Sequence, residues 1–332
     1  MQKLTQNQLS GLVHNVLSHH FDAEGRLHFS RFTPTQLNTY EAEDPHWVVR
    51  AKASASVTLE LETDSSFLAL QFDLYPGSSQ AWGSVDLYVD GVFYQSRRLG
   101  DLGVKVAGFP LPEGEHRVTV YFPWSAETVV SAVLLSDGAS CRPVEKRYRL
   151  LVLGDSITQG YTSNFASLTY VNQVARMLDA EVVNQGIGGY YCNKKTLASD
   201  LGAYRPDVVM AAYGTNDYSR YDDREEFIQN TGDYIRSLSR LFPDALLVGL
   251  LPIYRNDDNH RSRTTYREYT LDEGRAILRS HYEGCPNSFV IEETGIARLP
   301  AMYIADQLHP NELGFTLMAQ GIARQLAPLL NR

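Results

Sequence analysis

No stretch of this sequence is apolar for long enough to cross a membrane: the longest such runs, near residues 245–253 and 129–135, fall far short of the ~18 residues a span requires. Basic residues are too few and too scattered to hold a phosphate backbone. Thirty Lys and Arg stand against 39 Asp and Glu, a net charge of −9 over 332 residues. A surface of that sign excludes nucleic acid as an expected partner. Cysteine is scarce. Cys141, Cys192 and Cys285 lie far apart with no metal-ligand spacing, so free thiols are expected, and neither a metal nor another cofactor. The first 20 residues carry Gln, Asn and His in place of a basic start and an apolar block, so no secretory signal is read and a cytoplasmic location is expected. Internal repeats and low-complexity segments are absent as well.

What is present divides into two halves. Residues 57–63, 67–72, 84–89, 116–122 and 129–135 alternate apolar and polar side chains, the period of half-buried antiparallel strands. Asp90-Gly91 and Pro112-Glu113-Gly114 supply turns between them. Such a run of strands predicts an all-β sandwich of jelly-roll type over 1–146. The first 20 residues fit one amphipathic helix or an irregular arm equally well. Past Pro143 the pattern changes. Short, mainly apolar strands at 149–153, 181–184, 207–212, 245–251 and 288–291 alternate with helical stretches, the clearest at 224–241, 264–282 and 311–330. Strands without a polar face need helices on both sides, so 147–332 is expected to be an α/β domain with a three-layer, flavodoxin-like parallel sheet.

Chemistry-bearing residues collect where those strands end. Gly154-Asp155-Ser156-Ile157-Thr158 follows the first, Asn184-Gln185-Gly186-Ile187-Gly188-Gly189 the second, and Gly214-Thr215-Asn216-Asp217 the third. Asp306 and His309 precede the last helix, at a spacing that lets a carboxylate hold an imidazole. Each segment alone also reads as ordinary turn or cap chemistry. Their joint position is more telling, because a sheet of order 2-1-3-4-5 brings the first three loops side by side at its switch point. A nucleophilic hydroxyl, an acid–base imidazole and amide donors for an oxyanion would then share one end of the sheet.

These four blocks resemble those of the SGNH (GDSL-type) hydrolases, over about 147–332. The resemblance implies Ser156 as nucleophile, His309 as general base and acid, and Asp306 as its orienting carboxylate. It implies an oxyanion hole of the Ser156 and Gly189 backbone amides and the Asn216 side chain, with Gly186 and Gly188 as competing choices for the second donor. Ile157 stands where the family commonly has leucine. An all-β region ahead of such a domain is similar to the arrangement in two-domain carbohydrate acetylesterases. A serine esterase for short acyl groups on a small-molecule or oligosaccharide substrate is therefore expected. Acyl transfer to a sugar, a lipase or lysophospholipase activity, and a non-catalytic carbohydrate-binding role are the alternatives. Residues 253–269 are rich in Arg, His and Tyr, and Arg255 and His260 are candidate substrate contacts. Tyr190 and Tyr218, beside two of the blocks, are candidate platforms for a sugar ring. Cys192 is read as a packed thiol.

Overall fold

The computed structural model describes residues 1–80, 82–255, 268–291 and 304–330. In the N-terminal part, two antiparallel sheets of six strands face each other. One runs Ser18–Phe21, Leu27–Ser30, Ala126–Leu135, Phe67–Pro76, Gly103–Pro110, with Gln2–Lys3 also paired to Ala126–Leu135. The other runs Arg142–Pro143, Thr58–Thr63, His116–Tyr121, Gly83–Val89, Val92–Leu99, with Val13–His14 beside Thr58–Thr63. Alternation works as expected along Phe67–Pro76: Leu68, Leu70, Phe72 and Leu74 point into the core between the sheets.

Strand Gly83–Val89 departs from that rule, since all seven of its residues are buried. Its polar positions do not face water. Ser84 Oγ accepts the Ala166 N–H at 2.9 Å and Asp86 Oδ2 accepts the Ser167 N–H at 2.8 Å, so the C-terminal half covers the outer face of this sheet. The start of the chain is neither one long helix nor an irregular arm. A five-residue helix, Gln6–Ser10, opens on a reciprocal Thr5/Gln8 cap and is flanked by short strands. Two more helices, Pro34–Glu43 and Pro45–Ala51, are capped by Thr33 and Asp44 and begin with proline, whose missing N–H costs nothing there.

The C-terminal half holds a five-stranded parallel sheet. Its order is Ala180–Gly186, Tyr148–Gly154, Val208–Ala212, Leu246–Leu250, Ser288–Ile291, the 2-1-3-4-5 arrangement that sets the first three loops side by side. Successive residues of the first strand serve opposite layers. Leu150 and Val152 pack toward helices Tyr170–Leu178 and Glu312–Leu330, whereas Leu151 and Leu153 pack toward Arg224–Leu241 and Leu271–Glu283. Burial on both faces is what the unbroken apolar strands require. Helix Leu271–Glu283 begins later than the expected 264, at a Thr270/Glu273 capping box. Among the described residues no helix is long and apolar enough to cross a membrane.

Candidate active site

Ser156 opens a four-residue helix, Ser156–Gln159, directly beyond the first parallel strand. The turn is tight enough to demand glycine before it. A Cβ on Gly154 would lie 2.1 Å from Thr158 Oγ1 and 3.1 Å from the Ala212 carbonyl. Asp155 caps the helix by accepting the Ile157 N–H at 2.9 Å, and Gly160 closes it in the left-handed conformation at φ +110°. Ser156 is therefore held at the sheet's carboxyl edge, with its own N–H among the helix-start donors that lack an intrahelical acceptor.

The last loop brings in the imidazole. Gln307, at φ +74°, turns the chain so that Ala305 donates to the His309 carbonyl at 2.7 Å and Ile304 bridges to Pro310. Inside this turn Asp306 accepts backbone N–H bonds from His309 (2.8 Å) and Leu308 (3.3 Å). The same carboxylate takes His309 Nδ1 at 2.8 and 3.1 Å. A carboxylate only accepts, so Nδ1 carries the proton. Nε2 then faces Ser156 Oγ as an acceptor, at 2.8 Å. Burial depresses the His309 pKa, the Asp306 carboxylate opposes this, and the Arg255 charge adds to the depression. Burial likewise pushes the Asp306 carboxyl up, but the hydrogen bonds from His309 outweigh it and hold the group below its ordinary value. The ring of Tyr161 packs against the imidazole, with centroids 4.6 Å apart.

Three glycines end or follow the second strand, and their N–H groups have different fates. Gly186 donates to Asn184 Oδ1 at 2.8 Å and Gly188 to Gln159 Oε1 at 2.7 Å. The Gly189 N–H is given to no acceptor among the described residues, and Gly189 sits at φ +83°. Gly188 lies against the serine: a Cβ there would be 3.7 Å from Ser156 Cβ. Asn216, in helix Thr215–Arg220, anchors one side-chain N–H on the Tyr190 carbonyl at 2.9 Å, which leaves the second for another acceptor. That helix starts at Gly214, φ +121°, whose N–H goes to Asp217 Oδ2 at 3.0 Å.

The structure thus gathers Ser156, His309 and Asp306 into one hydrogen-bonded chain, with the Gly189 loop beside it. It treats the expected sugar contacts differently. Tyr190 is fully buried, edge-on to Tyr40 and Trp47, with its hydroxyl on Glu43 at 2.7 Å. No ring face is left for a ligand, so its expected stacking role is corrected: its backbone carbonyl, not its ring, serves the site. Arg255 is buried rather than on a rim and donates to Ser219 Oγ at 2.9 Å. Tyr218 is half-buried, edge-on to Tyr269. His260 lies outside the described residues, as do Arg261, Arg263 and Tyr266. Cys192 is a packed thiol whose pKa burial drives up, and its N–H donates to Asp217.

Sequence reasoning missed the contribution of the N-terminal part. Trp47 and Arg50, on helix Pro45–Ala51, come within 3.5 and 3.2 Å of where a Gly189 side chain would begin. Arg50 also donates to the Gly188 carbonyl, 138 residues away. Gln159, on the serine's own helix, donates to the carbonyls of Gly77 (3.1 Å) and Trp124 (3.2 Å). No local pattern announces such long-range contacts.

Known proteins share this fold. An acetylxylan esterase / glucomannan deacetylase of Cellvibrio japonicus is 25% identical over 297 residues, covering 74% of this chain and 81% of the relative. Among solved structures, the salicylyl-acyltransferase SsfX3 from a tetracycline biosynthetic pathway superposes with a TM-score of 0.79 at 19% identity, over 96% of this chain and 94% of that one. A family two carbohydrate esterase from Cellvibrio japonicus superposes with a TM-score of 0.65 at 20% identity, over 99% and 98%. At these identities the two superpositions speak for the fold alone. The GDSL-like lipase/acylhydrolase model matches residues 152–317, half of the sequence and all the loops that hold Ser156, Gly189, Asn216 and His309; the chain belongs to that family and is a carboxylic ester hydrolase.

Proposed function

We propose that this protein removes short acyl groups, acetyl above all, from esterified carbohydrate, with 1–146 and 147–332 as the two domains of one catalytic unit. The chain of hydrogen bonds from Asp306 through His309 to Ser156 carries the reading. Ser156 Oγ attacks the ester carbonyl while His309 Nε2 takes its proton. Asp306, bonded to Nδ1–H, keeps the imidazole in the tautomer that accepts at Nε2 and stabilises the imidazolium once formed. The oxyanion is met by the N–H groups of Ser156 and Gly189 and by the Asn216 side chain. His309 then protonates the departing sugar hydroxyl, and water, activated by the same imidazole, releases the acid and restores Ser156.

Carbohydrate as the substrate is supported by the Cellvibrio relative, whose similarity covers 74% of the chain and so reaches into both halves. The test is hydrolysis of p-nitrophenyl esters from acetate to octanoate, beside acetate release from acetylated xylan and glucomannan, with Ser156→Ala in parallel. Turnover that falls with acyl length, extends to the acetylated polysaccharides and vanishes in the variant is expected. Equal or better rates on octanoate, or turnover that survives Ser156→Ala, would refute the proposal.

A further inference from the structure

We infer that Arg50, from the β-rich N-terminal part, is a positioning residue of the ester-hydrolysing site: its guanidinium fixes the Gly188–Gly189 peptide so that the Gly189 N–H is aimed at the oxyanion. The inference rests on Gly189 being an oxyanion donor, as proposed above.

The geometry of one peptide unit carries the argument. No cis peptide bond occurs among the described residues. In a trans peptide the carbonyl of one residue and the N–H of the next point in opposite directions. Whatever grips the Gly188 carbonyl therefore sets the direction of the Gly189 N–H, and Arg50 Nη1 is the group that grips it. This unit needs a grip. Glycines flank it on both sides, one in the left-handed region, and no Cβ opposes rotation of its plane. The preceding plane is held separately, by Gln159 Oε1 on the Gly188 N–H. A cationic donor on the carbonyl also polarises the amide, which makes its N–H a stronger donor at the other end.

Arg50 is itself well anchored. Its guanidinium lies over the Trp47 ring at 5.1 Å, and Trp47 packs edge-on against Tyr190 at 5.0 Å. Its carbonyl accepts from Arg31 Nη2 at 3.2 Å. Arg31 is fully buried and donates as well to the carbonyls of Ala51 (3.1 Å), Ala53 (2.6 Å) and Asn184, tying the end of helix Pro45–Ala51 to the strand that leads into the glycine loop. Among the described residues Arg50 forms no salt bridge. Its charge faces the Trp47 ring and the Gly188 carbonyl, and it also helps to hold the exposed Asp44 carboxyl below its ordinary value.

The experiment is steady-state hydrolysis of p-nitrophenyl acetate by Arg50→Ala and Arg50→Met, with Ser156→Ala and Asn216→Ala as references and Tm measured for each. Arg50→Met retains a stem over Trp47 but has no donor, so the test survives if the alanine variant does not fold. Because a misaimed donor acts on the transition state, kcat should fall about 10-fold or more in both, with KM within about twofold. Added guanidinium ion should recover part of the lost kcat in Arg50→Ala and none in Asn216→Ala. Wild-type kcat in either folded Arg50 variant overturns the inference, and so does a loss that guanidinium leaves untouched. Full activity in Ser156→Ala would instead bring down the underlying reading of the site, whatever the Arg50 variants do.

Discussion

Gln159 Oε1 accepts the Gly188 N–H at 2.7 Å while its Nε2 donates to two carbonyls of the N-terminal part, so one side chain joins the serine's helix, the glycine loop and the β-rich half. The two bonds to the carbonyls are buried and the one from Gly188 is half-buried. Gln159→Leu keeps the volume and abandons every partner. Leaving two buried carbonyls unpaired at ~1–3 kcal/mol each, with the half-buried Gly188 N–H besides, predicts a loss of at least ~2 kcal/mol of stability. Catalytic rate should fall with it, because the Gly188 plane is freed. Urea unfolding of the variant is the check; an unchanged midpoint would mean that these groups find other partners.

Asn216 is a different case, since it touches the fold through a single bond to the Tyr190 carbonyl. Asn216→Ala should therefore unfold close to the wild-type midpoint. Its kcat should drop by about 10²–10³, the ~3–4 kcal/mol that one oxyanion donor contributes. Near-normal kcat would remove Asn216 from the mechanism.

The proton inventory at His309 gives a prediction in pH. Only the neutral imidazole can take the Ser156 proton, so kcat/KM should rise with pH through the His309 pKa and then level off. Burial holds that pKa below its ordinary value, which places the acid limb below about pH 6.5. Asp306 opposes the depression, so Asp306→Asn should shift the limb further to acid and lower kcat by about 10²–10⁴ through the wrong tautomer. A limb that moves up in the variant would contradict the roles given to both residues.

How much of this could be read from the sequence depended on distance along the chain. The parallel sheet was legible because a short apolar run followed by Gly, Ser or Asn is a local signal, repeated at 154–156, 184–189 and 214–216; the strand order entered only as the condition for those loops to meet. The helices Pro34–Glu43 and Pro45–Ala51 were overlooked although their signals are present, Thr33-Pro34 with Gln36 and Asp44-Pro45. Tyr190 misled because nearness in sequence to Gly189 fixes where its backbone lies but not where its ring points. Ser84 and Asp86 alternate with Val85 and Leu87 as solvent-facing residues do, and only the docking of the other half buries them. The contact of Arg50 with Gly188 has no local counterpart at all.

The last prediction concerns a pair of acids beneath the site. Burial raises the Asp155 carboxyl to about 7, with the neighbouring Asp217 adding to it, and raises Asp217 to about 6. In the unfolded chain each would titrate near 3.9. Between that value and the folded one the native protein holds protons that the unfolded chain has released. Stability from this source is complete at low pH and is lost as pH climbs from about 4 to 7. Asp155→Asn removes one titration while its side-chain oxygen still caps the helix at the Ile157 N–H. The urea midpoint of the wild type should then fall more between pH 5 and pH 8 than that of the variant. Equal falls in the two proteins would show that Asp155 is already ionised in the folded state.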